Sequence, residues 1–210
     1  MSFFKTIFSQ PWLGDAAATE TVPGGNMGGG MRAPLKVKRT GLFVFMGVAT
    51  ALFSLFTVAY KMRMGMGGWT SLADPAILWA NTYILVAGSV SMHLASRLAA
   101  RGKMAAAIYA FITAGVAGFL FLGGQYLAWQ ELNAAGFYAQ ANPANAFFYV
   151  LTGLHGLHLL GGLYAWGQAL VKASTGANAL DIGASIKLCD YYWGYLLLLW
   201  LAMFAMLLST

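Results

Sequence analysis

Phe147-Phe-Tyr-Val-Leu-Thr-Gly-Leu-His-Gly-Leu-His-Leu-Leu-Gly-Gly-Leu-Tyr-Ala-Trp166 carries no formal charge, yet it holds His155 and His158 among glycines and leucines at helical spacing. A helix of about 20 such residues crosses the hydrocarbon of a bilayer, so the stretch reads as a membrane span. Its two histidines then need a purpose. They can ligate a metal or haem, relay protons, or serve as polar packing residues where this helix meets its neighbours.

The rest of the chain has the same character. Of 210 residues, 60% are hydrophobic and only 9% charged, against about 25% charged in a soluble domain. This composition describes an integral membrane protein. The net charge of +6 forms no basic stripe on a polar face, so no nucleic-acid partner is expected. Cys189 is the single cysteine, which excludes an intrachain disulfide and any cysteine-based metal cluster. Residues 1–13 are too short and too interrupted by Lys5 for a cleavable signal. Their apolar positions suit one face of a short interfacial helix or a docking segment. Residues 22–30 are glycine-rich and read as a linker. Residues 1–40 are thus expected to form an arm, and 41–210 a membrane domain.

Five segments are apolar and long enough to span: 41–60, 76–98, 104–126, 146–171 and 190–208. The predicted fold is all-α, with five transmembrane helices. Pro75 and Pro143 stand just before the second and fourth spans, where a missing N–H costs least. Ten of the twelve basic residues fall on one side: Lys5, Arg32, Lys36, Lys38 and Arg39, then Arg97, Arg101 and Lys103, then Lys172 and Lys187. Lys61 and Arg63 lie opposite. The positive-inside rule therefore predicts a cytoplasmic N-terminus and a C-terminus outside. No inverted repeat of the transporter kind is visible.

Helices in lipid associate through small residues. Ala114, Gly115, Ala117 and Gly118 in the third span, and Gly153, Gly156, Gly161 and Gly162 in the fourth, should seat neighbouring helices, mostly within the chain. Intramembrane ionisable groups usually mark function. None of Asp74, Glu131, Asp181 and Asp190 falls in the middle of a predicted span. Asn81, Thr82, Ser89, Ser91 and Thr113 can satisfy one another or a backbone carbonyl. At ~1.5 Å per residue, His155 and His158 lie ~12 and ~17 Å deep and His93 ~25 Å deep, counted from the outer end. His93 and His158 are then offset by roughly 8 Å, a poor arrangement for axial haem ligands on two helices. A zinc or copper site at His155 and His158 needs further ligands, and no Cys, Asp or Glu is near in sequence. Structural hydrogen bonding is the commoner fate of such histidines.

The motifs resemble subunit III of the haem–copper terminal oxidases, the cytochrome c oxidase subunit III family, in its shorter five-helix form. The likeness covers about residues 40–205. It rests on Pro75-Ala-Ile-Leu-Trp-Ala-Asn81-Thr82 continuing to His93, on Gly124-Gln125 with Trp129, on Tyr192-Trp193 with Trp200, and most specifically on Thr152-Gly-Leu-His155-Gly-Leu-His158. There are departures. The family usually has a glutamate in the first of these helices, where Ala49 and its neighbours stand, and a carboxylate where Ala128 stands, with Glu131 nearest. It usually has a histidine and an aspartate where Gly194 and Leu197 stand. The resemblance implies an accessory subunit with no catalytic or redox centre of its own. It implies partners: the catalytic subunit I holding haem and copper, a subunit II, and phospholipids in a cleft. It implies support of aerobic electron transport and proton translocation, with electrons from cytochrome c or quinol. His155, His158, His93, Arg97, Lys172, Trp79 and Trp193 are the candidate lipid-binding or helix-packing residues, and Trp200 joins the tryptophans that could meet lipid chains. A basic residue that merely snorkels is as good an account of Arg97 and Lys172. An accessory subunit of a nitric oxide reductase-type complex and a small membrane cytochrome b remain open alternatives.

Overall fold

Helix signals at the ends of the apolar runs set the architecture. The structure, a computed structural model, describes residues 32–66 and 76–209. It contains α1 (Arg32–Met64), α2 (Ala76–Ala100), α3 (Met104–Ala134), α4 (Pro143–Ser174) and α5 (Ala179–Leu208). All five helices are long and apolar enough to cross a membrane. The expectations for residues 1–31 and for Pro75 fall outside the described residues.

Asn142 caps α4, its side chain accepting from the Ala144 N–H at 3.2 Å, with Pro143 following as the first helical residue. Asn178 caps α5 through the Leu180 N–H at 3.4 Å. Such caps satisfy orphan donors of the first turn. Gly102 ends α2 at φ +73°, with the Lys103 N–H reaching back to the Leu98 carbonyl at 3.0 Å. Only a residue without Cβ takes that conformation cheaply. Gly136 and Gly176 repeat the device after α3 and α4.

Two helices exceed their predicted spans in ways that matter. α3 continues from Tyr126 to Ala134, and α5 begins at Ala179 rather than at 190. The apolar run marks only the hydrocarbon-matched part, whereas the hydrogen-bonded helix runs on through polar residues until a cap or stop. Asp190 is therefore not the first residue of its helix but an interior one.

The turns at 101–103 and 175–178 are short, so α2/α3 and α4/α5 are antiparallel neighbours. Arg97, Arg101, Lys103, Lys172 and Lys187 consequently gather at one end of Val37–Thr210, which forms one compact unit. Small residues do seat partners here. The Trp166 indole lies where a Cβ on Gly115 would be, and its Nε1 donates to the Phe111 carbonyl at 2.8 Å. Tyr192 packs on Gly162, its hydroxyl donating to the His158 carbonyl at 2.9 Å. Trp200 Nε1 donates to Thr82 Oγ1 at 2.9 Å, tying α5 to α2. Around these anchors the core closes with Phe111, Phe121, Phe148, Leu85, Leu196 and Trp193, all buried.

α1 is held differently. Val44, Val48, Leu52, Leu55 and Val58 are exposed along its outer side. Its inner side meets the bundle through side-chain tips. Phe45 and Phe53 place their rings 5.7 and 5.6 Å from His158, and Tyr60 meets Phe147 edge-on at 5.6 Å. The Tyr195 hydroxyl donates to the Met46 carbonyl at 2.9 Å and lies 3.0 Å from Thr50 Oγ1.

Candidate functional site

The Thr152–His158 run lies in the middle of α4, and the helix turns its two histidines to different neighbours. His155 is fully buried, its ring 5.6 Å from Phe121 of α3 and 5.2 Å from Trp200 of α5. Neither ring nitrogen has a hydrogen-bond partner. His158 lies against Phe45 and Phe53 of α1, with its Nδ1 2.7 Å from the Leu154 carbonyl one turn back. The expected structural hydrogen bond thus exists at His158 and not at His155. Neither ring points to a shared ligand position, and among the described residues no three of His, Cys, Asp and Glu come together.

Polar groups surround this layer. Thr152 donates to the Phe148 carbonyl at 2.7 Å and accepts from Trp129 Nε1 at 3.1 Å. Asn81, buried in α2, lies against Gly124, and its Nδ2 has no partner. The adjacent Gln125 is buried with both amide atoms unpartnered. Thr82 does find partners, the Leu78 carbonyl and Trp200, but Asn81 does not share them.

The third histidine stands elsewhere. His93 of α2 contacts Asp190 of α5, its Nδ1 3.3 Å from both carboxylate oxygens. The sequence left these two unconnected, because the fifth span appeared to begin at 190. A signal was available: Asn178 followed three residues later by Asp181 is the pattern of a capped helix start. It places Asp190 three turns into α5.

Arg97 and Lys172 are exposed in the last turns of α2 and α4. Trp79 is partly exposed and meets Phe204 edge-on at 4.9 Å. Trp193 and Trp200 are both 1% exposed. They lie in the core, so the expected contact with lipid chains is not open to them. Of the positions where the family usually has a carboxylate, Ala49 and Ala128 are buried and Leu197 is half-buried; Gly194, in the place of the family histidine, is exposed. Glu131 is exposed, so it does not occupy the sealed place of Ala128.

Two clefts flank the seam between α1 and the bundle. Toward the basic end, a cavity of about 200 Å³ is lined by Lys38, Leu42, Gly162, Ala165, Cys189 and Tyr192. At the other end one of about 400 Å³ is lined by Ala59, Met62, Arg63, Pro143, Ala146 and Phe147. Each combines an apolar wall with one cation, a geometry suited to an acyl chain with a phosphate head.

Comparison with known proteins agrees with the motif pattern. The family described as cytochrome c oxidase subunit III matches residues 31–209. The probable cytochrome c oxidase subunit 3 of Mycobacterium tuberculosis is 26% identical over 157 residues, covering 73% of this chain and 77% of its own. Cytochrome c oxidase subunit 3 of Corynebacterium diphtheriae is 26% identical over 157 residues, covering 73% and 76%. That of Thermostichus vulcanus is 26% identical over 175 residues, covering 80% and 84%. With five membrane-length helices, the Thr152–His158 run at the centre of α4 and a match across nearly its whole described length, the chain belongs to the cytochrome c oxidase subunit III family.

Proposed function

We propose that this chain is the non-redox subunit III of a respiratory haem–copper oxidase. In this role it packs on the haem- and copper-bearing subunit I, beside a subunit II, in the cytoplasmic membrane. Its partner reduces O₂ and moves protons, with electrons from cytochrome c or quinol, while this chain supports that turnover. The observation that carries the proposal is the family match over residues 31–209. The histidines add support: each is engaged by packing or by a side chain of its own bundle, an arrangement that suits a subunit whose chemistry lies in a neighbour. The basic end, with Arg97, Arg101, Lys103, Lys172 and Lys187, is assigned to the cytoplasmic face by the positive-inside rule. Phospholipids are assigned to the α1 seam, with Lys38 and Arg63 beside the head groups and Lys172 and Arg97 as further contacts.

Purification of the tagged full chain in mild detergent tests the assignment. Recovery with a haem-bearing partner that consumes O₂ is expected. Recovery without haem sinks the proposal, and a partner that consumes NO instead redirects it to a reductase complex. Parallel assays with reduced cytochrome c and with quinol assign the donor. Phospholipid counted by mass spectrometry should fall in Lys172→Ala and Lys38→Ala, and an unchanged count removes the lipid role from those residues.

A further inference from the structure

A groove between α3 and α4 differs in kind from the two clefts beside α1. Its volume is about 260 Å³, and its walls include Leu122, Gln125 and Trp129 of α3 and Gly153, Gly156 and Leu160 of α4. No lining residue is charged, whereas each α1 cleft holds a cation. The glycines open this groove rather than close it. Trp166 and Tyr192 occupy the Cβ positions of Gly115 and Gly162. A Cβ on Gly153, by contrast, would stand 3.7 Å from the Trp129 ring, and one on Gly156 3.6 Å from a Leu122 methyl.

Helical rise sets the level of the groove. α3 begins at the basic end with Met104, so Gln125 lies ~32 Å from that end, about the full ~30 Å of the hydrocarbon. Gln125 and Trp129 therefore stand at the remote boundary of the bilayer. Leu160 is ~12 Å further inward along α4 than Thr152. The groove thus runs down one leaflet, open to lipid along exposed Leu157 and Leu160. Its mouth lies among Tyr126 and Trp129, at the level where aromatic rings gather.

Gln125 is the member that packing does not explain. It is 4% exposed, and among the described residues neither its amide nitrogen nor its amide oxygen has a hydrogen-bond partner. Burying such a group unpaired is costly. Thr152, beside it in the lining, is already committed: it donates to the Phe148 carbonyl and accepts from Trp129. The groove that Gln125 lines is where a partner can reach it. An amide presents a donor and an acceptor side by side. A hydroxyl next to an ester carbonyl answers both, the hydroxyl donating to Oε1 and the carbonyl accepting from Nε2. A phosphate head brings a charge that no lining cation meets, and a bare hydrocarbon chain leaves the amide unpaired.

We infer that the α3–α4 groove is a binding site for an uncharged, hydroxyl-headed, single-chain lipid of the monoacylglycerol class, its head held by Gln125 and its chain laid along Leu122, Leu157 and Leu160. The site uses this chain's residues alone and does not depend on the assignment to an oxidase complex. A seated lipid pairs the Gln125 amide and fills the space that Gly153 and Gly156 leave between the helices.

The test uses the full chain, with whatever partners copurify, in phosphatidylcholine vesicles, because many detergents are themselves hydroxyl-headed amphiphiles. A monoacylglycerol with a photoreactive diazirine in its chain is added, and labelled peptides are read by mass spectrometry. Labelling is expected over Leu157–Leu160 and should be displaced by unlabelled monoacylglycerol. A phosphatidylglycerol probe carrying the same chain should leave that segment unlabelled. Gln125→Leu should keep or raise the unfolding midpoint while lowering the labelling about fivefold, the size of one hydrogen bond. Gly156→Leu, which fills the groove, should abolish it. Equal labelling of the segment by phosphatidylglycerol, unchanged labelling in Gln125→Leu, or displacement by a short-chain quinol alone refutes the site. The oxidase assignment survives any of these results, since haem recovery decides it.

Discussion

Replacing His155 separates packing from hydrogen bonding at the centre of α4. The ring is fully buried between Phe121 and Trp200, and both nitrogens are without partners. Truncation to alanine removes a buried aromatic, which costs about 3–5 kcal/mol. It also removes two unpaired buried nitrogens, whose desolvation costs about 1–3 kcal/mol. The difference predicts a net loss of about 2 kcal/mol for His155→Ala. For a chain of this size that lowers the unfolding midpoint by roughly 4–8 °C. His155→Phe keeps a ring and discards the unpaired nitrogens, so it should be neutral or raise the midpoint slightly. Cys189, the only cysteine and 7% exposed, provides the assay. A thiol-reactive dye added to the purified full chain in detergent reports the temperature at which the core opens. If His155→Phe destabilises as much as His155→Ala, the imidazole is hydrogen-bonded after all and the packing argument is wrong. Loss of the partner's haem band in either variant would also contradict it.

Other consequences can be checked in the same assay. Gly115→Ala should cost about 2–4 kcal/mol, because it overpacks the Trp166 seat and strains the bond to Phe111. The penalty should largely vanish in a Trp166→Leu background, and additive effects would refute the contact. Trp200→Phe should cost only about 1 kcal/mol, since Thr82 keeps its bond to the Leu78 carbonyl. A much larger loss would point to a partner unseen at Nε1. Tyr195→Phe should loosen α1 selectively, increasing protease cleavage near α1 while the dye midpoint moves little. Equal loosening of all helices would count against a separate α1 seat.

The legible parts of the chain were those governed by composition and by end signals. Five apolar runs became five membrane-length helices, and Gly102, Gly136 and Gly176 stop three of them. Gly115 and Gly162 became aromatic seats, as small residues in a membrane should. Less legible was anything set by the azimuth of one helix against another. Periodicity puts His155 and His158 a turn apart, but only packing decides that one meets Trp200 and the other Phe53. Packing also decides that Trp193 and Trp200 face the core, since periodicity alone leaves a tryptophan in a membrane helix free to meet lipid or a neighbouring helix. The His93–Asp190 contact was hidden by treating the apolar run at 190–208 as the whole helix. Lys187 and Asp181 broke the hydropathy signal without breaking the backbone hydrogen bonds.

The seating of α1 bears on how the chain assembles. Each described ring contact of α1 with the bundle is to α4 or α5: Phe147, His158, Tyr191 and Tyr192, with Tyr195 supplying the hydroxyl. Membrane helices enter the bilayer individually and pack afterwards. α1 therefore waits in lipid until α4 and α5 have been made. Chains truncated before α5 should carry a stably inserted but undocked α1, a substrate for membrane quality control. Docking of α1 would then report that α4 and α5 are in place.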